Sequence, residues 1–212
     1  MKTELESGLA ELGIDFSPEQ SAKLIKFIDL LVKWNKVYNL TAVRDPNDML
    51  SLHLLDSLSL LPHLGEFQRL LDIGSGAGLP GIPLAIFCPD QAFVLLDSNI
   101  KKTRFIQQAA IDLKLSNVQV EHNRVEKYHP DVSFDCITTR AFATIAETIK
   151  LAEHLLVSHK QKQSRILFMK SNTAESELSV MNKELGSSFS HKIKELTVPG
   201  IEAKRSLVIV SR

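Results

Sequence analysis

Gly74, Gly76, Gly78 and Gly81 crowd together directly after the short apolar segment Arg69-Leu70-Leu71-Asp72-Ile73. Glycine lets a backbone take positive φ and lets a ligand approach where a Cβ would stand. The helix expected next offers the unpaired N–H groups of its first turn to anionic atoms. Strand, glycine turn and helix in that order form a nucleotide-binding junction, so a cofactor is expected on this loop. Two registers fit it. Counted from Gly76, the residues Gly76, Gly78 and Gly81 satisfy G-x-G-x-x-G, with Asp97 at roughly the twenty-residue distance that a dinucleotide fingerprint asks. Counted from Gly74, the run reads D-x-G-x-G-x-G from Asp72, it meets the strand end more closely, and Leu79 stands where the third dinucleotide glycine would be needed. Asp97 closes the apolar segment Phe93-Val94-Leu95-Leu96 and would hold ribose hydroxyls in either register.

Further candidates lie where other strands should end. Arg140 follows Phe134-Asp135-Cys136-Ile137-Thr138, and Lys170 ends Ile166-Leu167-Phe168-Met169. The guanidinium of Arg140 could clasp a carboxylate or neutralise a phosphate. Arg124-Val125-Glu126, just past a third strand, could wall and read an adenine ring. His53, Asp56 and Ser57 stand at i, i+3 and i+4 on one face of a leucine-rich helix. They are either a buried hydrogen-bonded pair that fixes the helix, with His53 donating to Asp56 or a backbone carbonyl, or a polar wall of the active site.

Some chemistry is excluded. No G-x-S-x-G elbow supports a serine hydrolase. Cys88 and Cys136 are the only cysteines and form no C-x-x-C, so neither a disulfide framework nor a metal site is expected. No Pro-Cys nucleophile and no [Asp/Asn]-Pro-Pro-aromatic run is present, which argues against methylation of cytosine C5 or of exocyclic amines. A ring nitrogen with a free lone pair needs neither device.

The elements that must position these residues can be read from periodicity. Up to about residue 65 the chain reads as helices. Ser17-Pro18-Glu19-Gln20 is a capping box ahead of an apolar stripe through Leu24, Phe27, Ile28, Leu31, Trp34 and Tyr38. A second helix starts at Asp45-Pro46, carries Leu50, Leu54, Leu58 and Leu61 on one face, and ends at Pro62. Strands are expected near 69 to 73, 92 to 97, 117 to 122, 134 to 138 and 164 to 170, with helices near 99 to 115 and 144 to 157. That alternation means an α/β fold with a parallel sheet and right-handed crossovers. After a polar helix around Thr173 to Leu185, a hairpin of Lys192 to Val198 and Arg205 to Ser211 supplies an antiparallel last strand.

The chain has 212 residues, enough for one α/β domain plus a helical extension. Its 25 basic and 25 acidic side chains cancel, so charge alone does not point to nucleic acid. Local clusters at Lys101, Lys102 and Arg104, and at Lys204 and Arg205, read as solvated faces. The opening Met1-Lys2-Thr3-Glu4-Leu5-Glu6 lacks the build of a secretion signal and no apolar run reaches membrane-spanning length, so a cytoplasmic protein is expected.

Asn39-Leu40-Thr41-Ala42, His53-x-x-Asp56-Ser57-Leu58, Gly74-Ser75-Gly76-Ala77-Gly78-Leu79-Pro80-Gly81-Ile82-Pro83, Arg124-Val125-Glu126, Arg140-Ala141-Phe142-Ala143 and Arg205-x-Leu207-Val208 occur in that order. As a set they resemble the bacterial small-subunit rRNA guanine-N(7) methyltransferases, also called the glucose-inhibited division protein B family. Thr139, where a serine is expected, and Ser171, where a glycine is expected, depart from the pattern. The resemblance implies a class I S-adenosylmethionine-dependent methyltransferase fold, Rossmann-like, with a helical extension over residues 1–65 packed on a domain over 66–212 as one structural unit. It implies Gly74, Gly76, Gly78, Leu79, Asp97, Val125, Glu126 and Arg140 around S-adenosylmethionine, and Arg140 and Lys170 as catalytic residues that orient the donor and a splayed base. It places Asn39, His53, Asp56, Lys170 and Arg205 on the substrate side, and Lys101 and Lys102 of the basic cluster are further candidate RNA contacts. The implied target is a guanine in the 530 loop of 16S rRNA, as naked rRNA, small subunit or assembly intermediate, with a monomeric enzyme away from membranes. A methyltransferase for another RNA or a small molecule, and a nicotinamide-dependent oxidoreductase, are the alternatives, which cofactor binding would separate.

Overall fold

Segments that are apolar nearly throughout form strands buried on both faces, and here five such strands, flanked by two polar and mostly exposed edge strands, pair into one seven-stranded sheet. The computed structural model describes residues 1–157 and 164–211. Its strands are β1 (Arg69–Ile73), β2 (Ala92–Asp97), β3 (Val118–His122), β4 (Cys136–Arg140), β5 (Arg165–Lys170), β6 (Ser190–Leu196) and β7 (Arg205–Ser211). The order is β3-β2-β1-β4-β5-β7-β6. β1 to β5 pair in parallel, with Leu71 of β1 opposite Val94 of β2 and Ile137 of β4. β7 runs antiparallel between β5 and β6, as the hairpin pattern predicts.

Side chains alternate across this sheet and feed two cores. Leu70, Phe93, Leu95, Leu167 and Leu207 face one side, while Leu71, Val94, Leu96, Phe168 and Val208 face the other. The first face is covered by α1 (Lys2–Glu11), α2 (Pro18–Tyr38), α5 (Gly81–Phe87) and α6 (Ile100–Asp112). The second is covered by α7 (Ile145–Ala152) and α8 (Ala174–Leu185). α2 starts at the expected capping box, with Ser17 Oγ accepting from the Gln20 N–H and Gln20 Oε1 accepting from the Ser17 N–H. Its apolar face packs Phe27 and Trp34 on Phe105 of α6, with ring centroids 6.1 and 5.7 Å apart.

Two local expectations need correction. The second helix is not one regular helix: α3 (Pro46–Met49) runs into a π-helical turn, Leu50–Leu55, then α4 (Asp56–Leu58) and a 3₁₀ turn at Leu61–His63. β4 starts two residues later than expected and takes in Arg140. The Asp135 side chain instead caps the start of β1 by accepting from the Gln68 and Arg69 N–H groups, and Phe134 bridges to Leu156.

Asp72, fully buried at the end of β1, joins three elements. Its Oδ2 accepts from the Gly81 N–H at 3.1 Å and its Oδ1 accepts from Thr138 Oγ1 at 3.3 Å. Position 81 requires glycine, since a Cβ would lie 2.7 Å from Leu95 Cγ and 2.8 Å from Asp72 Oδ2. Burial pushes the Asp72 carboxyl up to about 6, against the pull of its hydrogen bonds. A raised carboxyl pKa means that the folded chain keeps this proton when the unfolded chain has lost it. The stability it contributes is full below the ordinary carboxylate range and is lost as pH climbs through about 6. Asp72→Asn keeps the shape and both partners but cannot ionise. Urea melts should show the variant gaining on the wild type between about pH 4 and about pH 7; a difference that stays constant would mean that Asp72 does not titrate there.

Candidate active site

Open α/β sheets bind ligands outside the carboxyl ends of their strands, where the strand order reverses. Here that point lies between β1 and β4. A pocket of about 400 Å³ opens there, lined by Gly74, Asp97, Lys102, Val125, Glu126 and Phe142 among others. Gly74 begins the turn at φ +67°, its N–H donating to Leu96 O at 2.8 Å, and a Cβ here would lie 2.7 Å from Phe142 Cδ2. Gly76 and Gly78 also take positive φ.

Asp97 is held against this turn. Its Oδ2 accepts from the Gly76 N–H at 2.9 Å and its Oδ1 accepts from the Asn99 N–H at 2.8 Å, with Lys102 Nζ at 3.9 Å from Oδ2. A carboxylate has lone pairs to spare beyond two such bonds, so Asp97 can still accept from vicinal hydroxyls. Val125 gives an apolar wall and Glu126 a polar edge on the same pocket. The residues present therefore fit a ribose bearing a flat heterocycle at one end and a charged chain over the glycines at the other. Gly78 and Leu79 sit elsewhere: a Cβ at Gly78 would meet Ile82, and Leu79 is buried in the core beneath the turn. Lys102, read from sequence with the RNA-side residues, lies instead on the wall of this pocket.

Arg140 also lies elsewhere than on the pocket wall. Its Nη1 donates to Leu52 O at 3.0 Å and to Asp56 Oδ2 at 3.1 Å. Arg205, at the start of β7, donates through Nε to the other Asp56 oxygen at 3.1 Å. Lys170 donates to Ala143 O and pairs with Glu177 of α8 at 2.8 Å. His53 and Asp56 do not pair with each other, because Asp56 takes the two arginines and His53 Nε2 shares a hydrogen bond with Thr41 Oγ1 at 2.9 Å. Burial first, and the Arg140 charge second, bring the His53 pKa down to about 4, so the ring is neutral at neutral pH. Asn39 ends α2 in the left-handed region and accepts from Arg44 Nη2, while Lys101 is exposed in the first turn of α6. Burial pushes the thiols of Cys88 and Cys136 up to about 11 and about 12, so neither is an activated nucleophile. Among the described residues no cluster of His, Cys, Asp and Glu could hold a metal ion.

Comparison with known proteins decides what this geometry belongs to. The family model described as rRNA small subunit methyltransferase G matches residues 20–208. The chain belongs to that family. It is 45% identical over 210 residues to ribosomal RNA small subunit methyltransferase G of Stutzerimonas stutzeri, covering 99% of this chain and 94% of that one. It is 46% identical over 205 residues to the enzyme of the same name from Chromobacterium violaceum, covering 97% and 95%. The fold resembles that of a solved SAM-dependent methyltransferase from Aquifex aeolicus (TM-score 0.61, 19% identity, 84% of this chain and 96% of that one). It also resembles the N-methyltransferase NodS of Bradyrhizobium japonicum, solved in complex with S-adenosyl-L-homocysteine (TM-score 0.53, 14% identity, 74% and 83%). Membership of methyltransferase G sets the nicotinamide register aside. The role of Gly81, the third glycine of that register, is to pack α5 against Asp72 and Leu95.

Sequence reasoning missed Ser98, Asn123 and Phe142 as pocket residues. Asn123 stands two residues ahead of Val125 at the end of β3, so position alone could have found it. The accepting carbonyl of Leu52 has no side-chain signal at all. For this methyltransferase G member, Asp97→Ala should weaken S-adenosylhomocysteine binding by ~10-fold or more, as loss of a charge-assisted hydrogen bond demands. Titration calorimetry reads this directly, and an unchanged affinity would remove Asp97 from the ligand.

Proposed function

We propose that this chain transfers the methyl group of S-adenosylmethionine to nitrogen 7 of a guanine in the 530 loop of 16S rRNA, presented in the small subunit or an assembly intermediate, in the cytoplasm. The observation that carries the reading is the pocket at the strand reversal, where Asp97 and the glycine turn would take the ribose and Val125 and Glu126 the adenine. Bound there, S-adenosylmethionine would supply an electrophilic methyl group.

The rest falls to the chain's own side chains. Guanine nitrogen 7 attacks with its own lone pair and loses no proton, so no general base is required. The neutral His53 and the protonated cysteines accord with that demand. Positioning and electrostatics then carry the rate. Arg140 and Lys170, from the neighbouring strands β4 and β5, would orient the base beside the pocket, and Phe142 would close the pocket over Gly74. Asn39, Lys101 and Arg205 would meet the RNA around them. Among the described residues no helix is long and apolar enough to cross a membrane.

The test is transfer of labelled methyl from S-adenosylmethionine to small subunits that lack the modification, with nicotinamide dinucleotide as a non-competing control. Arg140→Ala should cut transfer by ~100-fold, the scale on which misplacing a reactant by about 1 Å acts. It should leave S-adenosylhomocysteine affinity nearly unchanged, because Arg140 does not line the pocket. Full transfer by the variant would strip Arg140 of the orienting role, and no transfer by the wild type to subunits or rRNA would end the reading.

A further inference from the structure

Arg140, Lys170 and Arg205 stand at the carboxyl rim of the sheet, on β4, β5 and β7. Lys170 has a carboxylate of its own in Glu177. Arg140 and Arg205 share one, Asp56, whose side chain is 5% exposed while theirs are 22% and 23% exposed. Two guanidinium groups thus share the one carboxylate of Asp56, and the buried Asp72 carboxyl also feels the charge of Arg140.

An ion pair made only to staple the helical segment to the sheet would not need a second guanidinium. Two guanidinium groups largely removed from water repel each other, and a buried ion pair is a poor source of stability. The cluster also rests on an irregular backbone. In the π-helical turn before it, the Asp56 N–H reaches back to Ser51 O, so Leu52 O is passed over by the α-helical partner it would have had and receives Arg140 instead. Such turns recur at functional sites. β5 lies between β4 and β7, so the two arginines start roughly 10 Å apart, two strand spacings, and Asp56 draws them together from above.

We propose, on the basis of the RNA reading above, that Asp56 is a positioning residue: it holds Arg140 and Arg205 as a two-pronged seat for one backbone phosphate of the RNA strand next to the target guanine. The adenosyl pocket is lined from the ends of β1 to β4 and Arg140 turns away from it, so the seat lies on the acceptor side and takes a phosphate rather than the donor's carboxylate. Asp56 engages Nη1 of Arg140 and Nε of Arg205, which leaves other N–H groups of both guanidiniums for a phosphodiester. Arg140 Nη2 and Arg205 Nη2 meet no acceptor among the described residues, and planar guanidinium edges suit phosphate oxygens.

Filter retention of labelled 16S rRNA by the full chain, measured across a salt series alongside methyl transfer, separates this from a counter-charge role. Asp56→Asn raises the local charge by one. If Asp56 merely offset charge, the variant would bind RNA as tightly as the wild type or tighter. The positioning role predicts at least tenfold weaker retention and transfer, S-adenosylhomocysteine affinity within twofold of wild type, and partial recovery in Asp56→Glu. Arg205→Gln should lower the slope of log affinity against log salt by about one. Should Asp56→Asn fail to fold by near-ultraviolet dichroism, Arg205→Lys keeps the charge while losing the Nε bond, and it should show the same loss. Wild-type retention and transfer in Asp56→Asn, or in Arg205→Lys where that variant stands in, would overturn the inference. Weakened retention in the variants with no transfer by the wild type would sink the methylation reading and leave the phosphate seat standing, while a wild type that retains no rRNA would sink both.

Discussion

The Asp72 carboxylate has to stay in a place with no water, because the N–H of Gly81 and the hydroxyl of Thr138 both end on it. Those two bonds set the distance between the end of β1, the start of α5 and β4. The glycine turn hangs from the same strand end, with the Gly74 and Ser75 N–H groups both donating to Leu96 O of β2. A side chain at position 81 would push α5 away from Leu95 and open the turn. Burial works against the charged form of Asp72, and its hydrogen bonds offset only part of that cost. The fold tolerates it because the same contacts fix the loop on which the ligand geometry depends.

From that fixed point the sheet divides its rim. The ends of β1, β2 and β3, with Phe142 just past β4, build the pocket, and Asp97 is held by two backbone N–H groups so that its orientation is set before any ligand arrives. The ends of β4, β5 and β7 carry cations, each turned toward an acidic side chain on a covering helix. The helical segment from Pro46 to Leu58 thus does more than cover apolar surface. It brings Asp56 and the Leu52 carbonyl over the rim, and it is anchored in turn by Thr41 on His53 and by Leu50, Leu54 and Leu58 in the core.

Much of this was legible in the sequence, for physical reasons. The strands β1 and β2 were readable because continuous apolar runs end in a glycine or an acidic residue, and the capping box before α2 because its chemistry is local. β7 was readable from the Pro199-Gly200 turn and the apolar segment after it. Asp97, Val125 and Glu126 follow from strand ends, so a pocket joining them could be anticipated. What escaped was set by contacts distant in sequence. Nothing in Leu50–Leu55 announces a π turn, since the apolar period is nearly that of an α-helix. A helical wheel puts His53 beside Asp56, yet Arg140 and Arg205, 84 and 149 residues further along, take the carboxylate. Lys102 reads as a solvated charge until the fold sets it against Asp97.

The central claim is one atom of one nucleotide. It is tested most directly by treating small subunits with the protein and S-adenosylmethionine, then reducing the rRNA with borohydride and cleaving with aniline, which breaks the chain at 7-methylguanosine. The account predicts a single enzyme-dependent break within the 530 loop. Methyl incorporation without any break, or a break elsewhere, would contradict it.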